Sequence, residues 1–322
     1  MKTFCLIICL VPIALIARKP AVIETADITH FWSAYDMLPQ AKSREDSIRI
    51  IKEIYFDRST PYFKAFVKAR QFTPAEYVTL IRAYPGFWKS IRPLTEQIAG
   101  RKDEIQDVFD QLGKALPDFK QPDVCFAIGC LRTGGTTTKD LILIGSEIAA
   151  ADGSVNTTGM NSWLQNVLGN TGDIVSMVAH EAVHTQQSGL PFLEIFSLIG
   201  HRKLKLLNMA IVEGSADFIT LELLGLNINE TIHAYGDQHQ CSLWKEFITD
   251  VDATPFDYSK WLYNGSAAQG RPADMAYYMG FVITKSYYGQ MEDKRQALQT
   301  ILRIGKYKRV FKQSHFERLN CA

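Results

Sequence analysis

Apolar positions recur at helical spacing over two long stretches of the chain, with a short β-type interval between them. Residues from about 27 to 118 form the first helical stretch. Thr73-Pro74-Ala75-Glu76 predicts a helix start, because the threonine hydroxyl can cap, proline suits the first helical position and the glutamate can reach back to the cap. Ser43-Arg44-Glu45-Asp46 is a weaker version of the same signal. The aromatic residues Phe31, Trp32, Tyr35, Tyr55, Phe56, Tyr62 and Phe63 are expected to form core. Val124–Leu131 and Leu141–Ile144 are rich in strand formers. Arg132-Thr-Gly-Gly-Thr-Thr-Thr-Lys139 lies between them and suggests a hairpin loop, hence a small antiparallel sheet. Helical pattern resumes after about residue 171 and is interrupted near Pro255 and Pro272. The expectation is an α+β, mostly helical fold. With no repeat or linker in view, residues 22–322 read as a single domain with a helical N-terminal part.

Composition narrows the partners. Lys and Arg (35) nearly balance Asp and Glu (34), which leaves no field to hold a polyanion, so nucleic acid is not an expected partner. The basic positions Lys306, Lys308, Arg309 and Lys312 read as a solvated helix face. Nothing in the sequence calls for an oligomer. Met1-Lys2, the apolar run Phe4–Ile16 and Ala17-Arg18-Lys19-Pro20 read as an export signal within residues 1–21, or an anchor if it is not cut. The protein is then expected to be exported to a periplasm, a cell envelope or the medium, with any membrane association through this segment. Lipidation at Cys9 is disfavoured, because Leu6-Ile7-Ile8 stand where small residues are wanted.

Beyond the leader stand Cys125, Cys130, Cys241 and Cys321. On one strand, Cys125 and Cys130 lie about 16 Å apart on opposite faces, so they are not expected to pair. Cys241 with Cys321 is the expected bridge, with buried free thiols as the alternative.

The chemistry concentrates on one helix. Asp173–Gln187 reads as helical, with Asn170 or Thr171 as cap and Gly189 as stop signal. It carries His180-Glu181-Ala182-Val183-His184. Residues four apart share a helix face, so His180 and His184 can present two imidazoles to one metal ion. Glu181 sits one step round, where its carboxylate can act on water without being a ligand. The glycine and histidine that a longer metal motif would place after His184 are replaced by Gln187 and Leu190. Ile211-Val-Glu-Gly-Ser-Ala-Asp-Phe218 supplies Glu213 as third ligand and, four residues on, Asp217 as acceptor for the spare ring N–H of His180. Three protein ligands leave a coordination position open, as a catalytic Zn²⁺ site requires.

These motifs resemble those of the gluzincins, in which His-Glu-x-x-His precedes Glu-x-x-x-Asp. The chain is also similar to a bacterial family of predicted zinc-dependent proteases related to the gliding-motility lipoprotein B group. That likeness rests on the zinc segments, Asp27–Asp36, Trp261-Leu-Tyr-Asn-Gly265 and Arg271–Gly280. It implies a zincin-like architecture, hydrolysis of peptide bonds and a peptide or protein substrate. It also implies Tyr277 as donor to the oxyanion, with Tyr278, His233 and His239 as substitutes. The strand Leu141–Ile144 is a possible edge for an extended peptide. Leu190–Gly200 reads as an apolar core helix, or else as a pocket lining or membrane contact. The rival reading is a non-catalytic zinc-binding envelope or motility accessory lipoprotein.

Overall fold

In a computed structural model of the chain, the residues described are 20–116, 118–169, 173–188 and 204–316. The leader up to Lys19, Gly189, the Leu190–Gly200 run and Cys321 lie outside them.

The first strand, β1 (Ile23–Glu24), leads into α1 (Ala26–Met37) and α2 (Arg44–Ile50), which continues through one π-helical stretch, Ile51–Phe56. Then come α3 (Pro61–Arg70), α4 (Pro74–Ala83), α5 (Pro85–Glu96) and α6 (Lys102–Ala115). Local chemistry explains the starts. The Thr73 hydroxyl accepts the Glu76 N–H at 3.4 Å and that of Ser43 accepts Asp46 N–H at 3.0 Å. Thr60, followed by Pro61, accepts from Phe63 at 3.2 Å.

Phe31, Trp32, Tyr55 and Phe63 are buried as expected, together with Tyr77 and Trp88, while Tyr35, Phe56 and Tyr62 pack half-buried around them. The Tyr55 and Phe63 rings stack at 4.3 Å. This cluster is tied to the sheet by polar tips. The hydroxyls of Tyr55 and Tyr77 both donate to the Ile128 carbonyl, at 2.9 and 2.6 Å, and Tyr55 also accepts the Ile128 N–H at 3.0 Å.

The sheet corrects the sequence reading. Strands β2 (Asp123–Ala127), β3 (Gly135–Thr138) and β4 (Leu141–Gly145) join β1 in the order β1-β2-β4-β3. β1 and β2 pair in parallel, as do β2 and β4, and only β3 runs antiparallel to β4. The sheet is therefore mixed. The stretch taken for a hairpin loop is itself a strand, because its threonines suit an extended backbone as well as a turn does. β2 is also shorter than expected. The chain leaves it at Ala127, and Cys130 and Leu131 take left-handed backbone at φ 61° and 52°. Glu147 holds this bend by accepting the N–H groups of Gly129 and Leu131, each at 2.7 Å. Cys125 and Cys130 do not pair with each other, as expected, and both are buried free thiols, although Cys130 lies beyond the strand and not on it. Cys241 is disulfide-bonded.

After β4 come α7 (Ser146–Ala149), α8 (Ser162–Gly169) and α9 (Ile174–Gln186). The cap of α9 is Asp173 itself, whose carboxylate accepts the Val175 N–H at 3.0 Å, and not Asn170 or Thr171. α9 lies against β3, β4 and α6, and on another side against α10 (Leu206–Leu224). α10 is buried along its whole course from Met209 to Thr220, as suits a helix that is apolar on every side. Next are α11 (Glu230–Ala253) and α12 (Ala276–Gln290), then the short helices α13 (Lys294–Ile301) and α14 (Tyr307–Ser314). α10 and α12 share the most extensive helix contact among the described residues. A methyl group on Gly280 would lie 1.6 Å from the Ala210 carbonyl oxygen, and one on Gly214 2.1 Å from the Phe281 nitrogen. Only glycine lets these backbones meet. No described helix is long and apolar enough to cross a membrane.

Candidate metal centre

α9 and α10 cross so that three side chains aim at one point. The Nε2 atoms of His180 and His184 are 3.0 Å apart. Glu213 Oε2 lies 3.2 Å from His184 Nε2 and 3.7 Å from His180 Nε2. Tetrahedral zinc with nitrogen and oxygen ligands separates neighbouring donors by about 3.3 Å, so the spacing fits such an ion. All three side chains are buried.

The outer ring nitrogens each have an acceptor close by. His180 Nδ1 lies 2.8 Å from Asp217 Oδ1, as the four-residue spacing in α10 predicts. His184 Nδ1 lies 2.9 Å from Gln187 Oε1. Gln187 is fixed in turn, donating to the Val212 carbonyl at 2.8 Å and to the Ser215 hydroxyl at 3.2 Å. With each Nδ1 facing an acceptor, each Nε2 lone pair is turned inward, which is the tautomer a metal ligand needs. In the metal-free chain burial opposes charge on His180, but Asp217 and Glu213 outweigh it and push the ring up to about 10. Burial likewise works against ionisation of Glu213, and the two imidazoles hold it well below the usual carboxylate range.

Glu181 stands beside this triad. Its Oε2 is buried and has no hydrogen-bond partner among the described residues. Burial raises its pKa, against the opposing pull of His184 and His180. A methyl group on Gly135 would lie 2.6 Å from Glu181 Oε1, so the first residue of β3 touches the carboxylate. Gly134 and Gly135 thus have a packing purpose: Gly134 makes room for Met177 as Gly135 does for Glu181. The edge beside the site is β3; the expected edge Leu141–Ile144 is β4, which lies inside the sheet.

Of the tyrosines, Tyr277 reaches the site. Its ring lies nearly parallel to His180 with centroids 6.1 Å apart, and burial followed by the Glu213 charge raises its pKa well above 10. Its substitutes are engaged elsewhere. Tyr278 donates to Asp237 and accepts from Gln240, both at 3.0 Å. His233 Nε2 and Asn229 Nδ2 contact the second oxygen of Asp217, at 3.3 and 2.8 Å. His239 is exposed and lies against Tyr235.

Sequence reasoning missed Tyr263. Its hydroxyl donates to Glu213 Oε1 at 3.2 Å, leaving Oε2 for the cation point. As a whole residue Tyr263 is 54% exposed, while its hydroxyl is drawn inward to the buried Glu213. Tyr263 and Asp274 both adopt left-handed backbone, at φ 55° and 61°, a conformation unfavourable for a bulky residue. Asp274 accepts the Tyr263 N–H and donates its own N–H to Asn264 Oδ1 at 2.9 Å. The loop is thereby clamped over Glu213.

The three buried donors, with the Glu181 carboxylate beside them, have the spacing of a site for one divalent cation. Residues 152–304, which contain all three donors, match the family described as predicted Zn-dependent protease (DUF2268). No curated protein and no solved structure matches the chain significantly.

Proposed function

We propose that this chain is a gluzincin-type zinc metallopeptidase with a zincin-like fold, holding Zn²⁺ through His180, His184 and Glu213. The observation that carries the reading is the buried Glu181 oxygen, unpartnered among the described residues, beside three converging donors. A structural metal site has no use for that carboxylate, which weighs against the accessory-lipoprotein reading. A zinc ion in this site supplies a Lewis acid for the peptide carbonyl and acidifies the attacking water.

Glu181 accepts the proton of that water and returns it to the leaving amine. Burial raises its pKa, which favours acceptance of the proton. Tyr277 keeps its proton at neutral pH and donates to the developing oxyanion. Tyr263 orients Glu213. An extended peptide adds to the outer edge of β3, which pairs with no other strand among the described residues. Export through the N-terminal segment places this activity outside the cytoplasm, and cell fractionation checks that.

The test compares the wild type with Glu181→Gln on a peptide library, with zinc measured in both. We expect cleavage to fall roughly 10²- to 10⁴-fold while zinc content is unchanged. Equal cleavage by the two proteins contradicts the assigned role of Glu181.

A further inference from the structure

A second charged group stands near Glu181, and nothing in the zinc chemistry uses it. Arg70 is the last residue of α3, followed by Gln71 in left-handed backbone at φ 54°. Its Nη2 donates to the Thr133 hydroxyl at 3.0 Å, and that hydroxyl donates to the Gly135 carbonyl at 2.6 Å. Gly135 is the residue that touches Glu181. The guanidinium therefore lies at the head of the edge strand, linked through Thr133 to the residue that touches the carboxylate assigned as base. Glu181 and Tyr263 both act on its charge through space.

The neighbouring Arg132 gives the contrast. It pairs with Glu76 at 3.2 Å, lies over the Phe72 ring at 5.0 Å and donates to the Arg70 carbonyl at 2.5 Å. Its charge is answered within the fold. Arg70 has no carboxylate within ion-pair distance among the described residues, although burial is the main influence on it and works against its charge. A guanidinium drawn out of water costs free energy until an anion meets it. Glu181 is near but does not close the pair, and its Oε2 is also unpartnered. Two opposite charges held apart beside an open strand edge leave a place for a ligand group that satisfies the cation. A carboxylate is the group whose two oxygens match the guanidinium fork.

We infer that Arg70, presented by Thr133, forms a carboxylate-binding subsite beside the metal centre, so that the preferred peptides carry an acidic group next to the scissile bond. The inference rests on the peptidase reading and deepens it. The carboxylate is either an Asp or Glu side chain or the free C-terminus of a peptide, two sources of one chemistry. A purely electrostatic influence of Arg70 on Glu181 alters the pH profile of every substrate alike. A subsite discriminates between acid and amide at fixed pH.

The experiment uses pairs of short peptides that differ only as Glu against Gln within the chain, or as free acid against amide at the C-terminus. Cleavage is measured with the zinc-loaded wild type, Arg70→Gln, Arg70→Lys and Thr133→Val. Binding of the same peptides is measured by calorimetry with Glu181→Gln, which does not turn them over, and with Glu181→Gln/Arg70→Gln. The acid member of one pair is expected to be favoured roughly 10- to 100-fold, the range of a charge-assisted hydrogen bond. Arg70→Gln abolishes that preference and Arg70→Lys retains part of it. Preference in the Glu/Gln pair assigns a side-chain carboxylate, and preference in the acid/amide pair assigns the C-terminus. Cleavage without preference in either pair overturns the subsite and leaves the peptidase. Arg70-dependent binding of the acid without cleavage by the wild type upholds the subsite and rejects the peptidase. No discrimination by the wild type in cleavage and none by Glu181→Gln in binding overturns the subsite, and because both proteins keep Arg70, an Arg70 variant that fails to fold does not rescue it.

Discussion

Around the cation point, each ligand is held by a second residue, and those supports differ in how visible they are. Asp217 was legible because it stands four residues from Glu213 on the same helix, and geometry places it 2.8 Å from His180. Gln187 was visible only as a letter that excluded a longer motif, yet it faces the ring nitrogen of His184 at 2.9 Å. Tyr263 stands in the Trp261–Gly265 segment that carries the family likeness but shows no role there, and Arg70 gives no local signal, because each reaches the site from a segment remote in sequence. Supporting residues of this kind typically change metal affinity 10- to 100-fold. We therefore expect Asp217→Asn to weaken zinc binding by about that factor, read by competition with a chromophoric chelator, and unchanged affinity contradicts the support. Gly135 tests the placement of the base. In Gly135→Ala the added methyl group occupies the space of Glu181 Oε1, so peptide cleavage should fall roughly 100-fold while zinc is retained. Undiminished cleavage in that variant places Glu181 elsewhere.

Helices were the legible elements, since caps and apolar spacing act within a few residues. Thr73 and Ser43 start helices as read. Strand pairing was not legible in the same way. β2 and β4 are neighbours in parallel because β3, a run of threonines, turns back on β4 from outside. Parallel or antiparallel pairing is decided by how the chain crosses the sheet, which alternation along one strand does not encode. The crossing of α10 and α12 was equally hidden, because a glycine inside a helical pattern does not announce which backbone it meets. Overpacking usually costs about 1–3 kcal/mol, and here the added group meets backbone that cannot rotate away. Gly280→Ala should therefore lower unfolding stability by about 3 kcal/mol or more in urea titration. An unchanged midpoint means that the two helices are not so close.

For the whole molecule, stability is linked to pH through Glu147, the buried carboxylate behind the site. Burial pushes it up to about 7 although two backbone N–H groups donate to it. A carboxylate raised in the folded state resists ionisation there. Its contribution is complete below the unfolded value near 4.5 and is lost as pH rises through about 7. The full shift corresponds to about 3 kcal/mol. The stability difference between wild type and Glu147→Gln should thus move in favour of the variant between pH 5 and 8, measured by denaturant unfolding of both. A difference constant with pH contradicts the buried charge.

All of these expectations surround one cation, so metal content is the measurement that tests the account most directly. Protein purified without chelator and assayed by elemental analysis should carry about one zinc per chain, and His184→Ala should carry almost none while remaining folded. A wild type that takes up no zinc, even after reconstitution, contradicts the metal centre and the peptidase built on it.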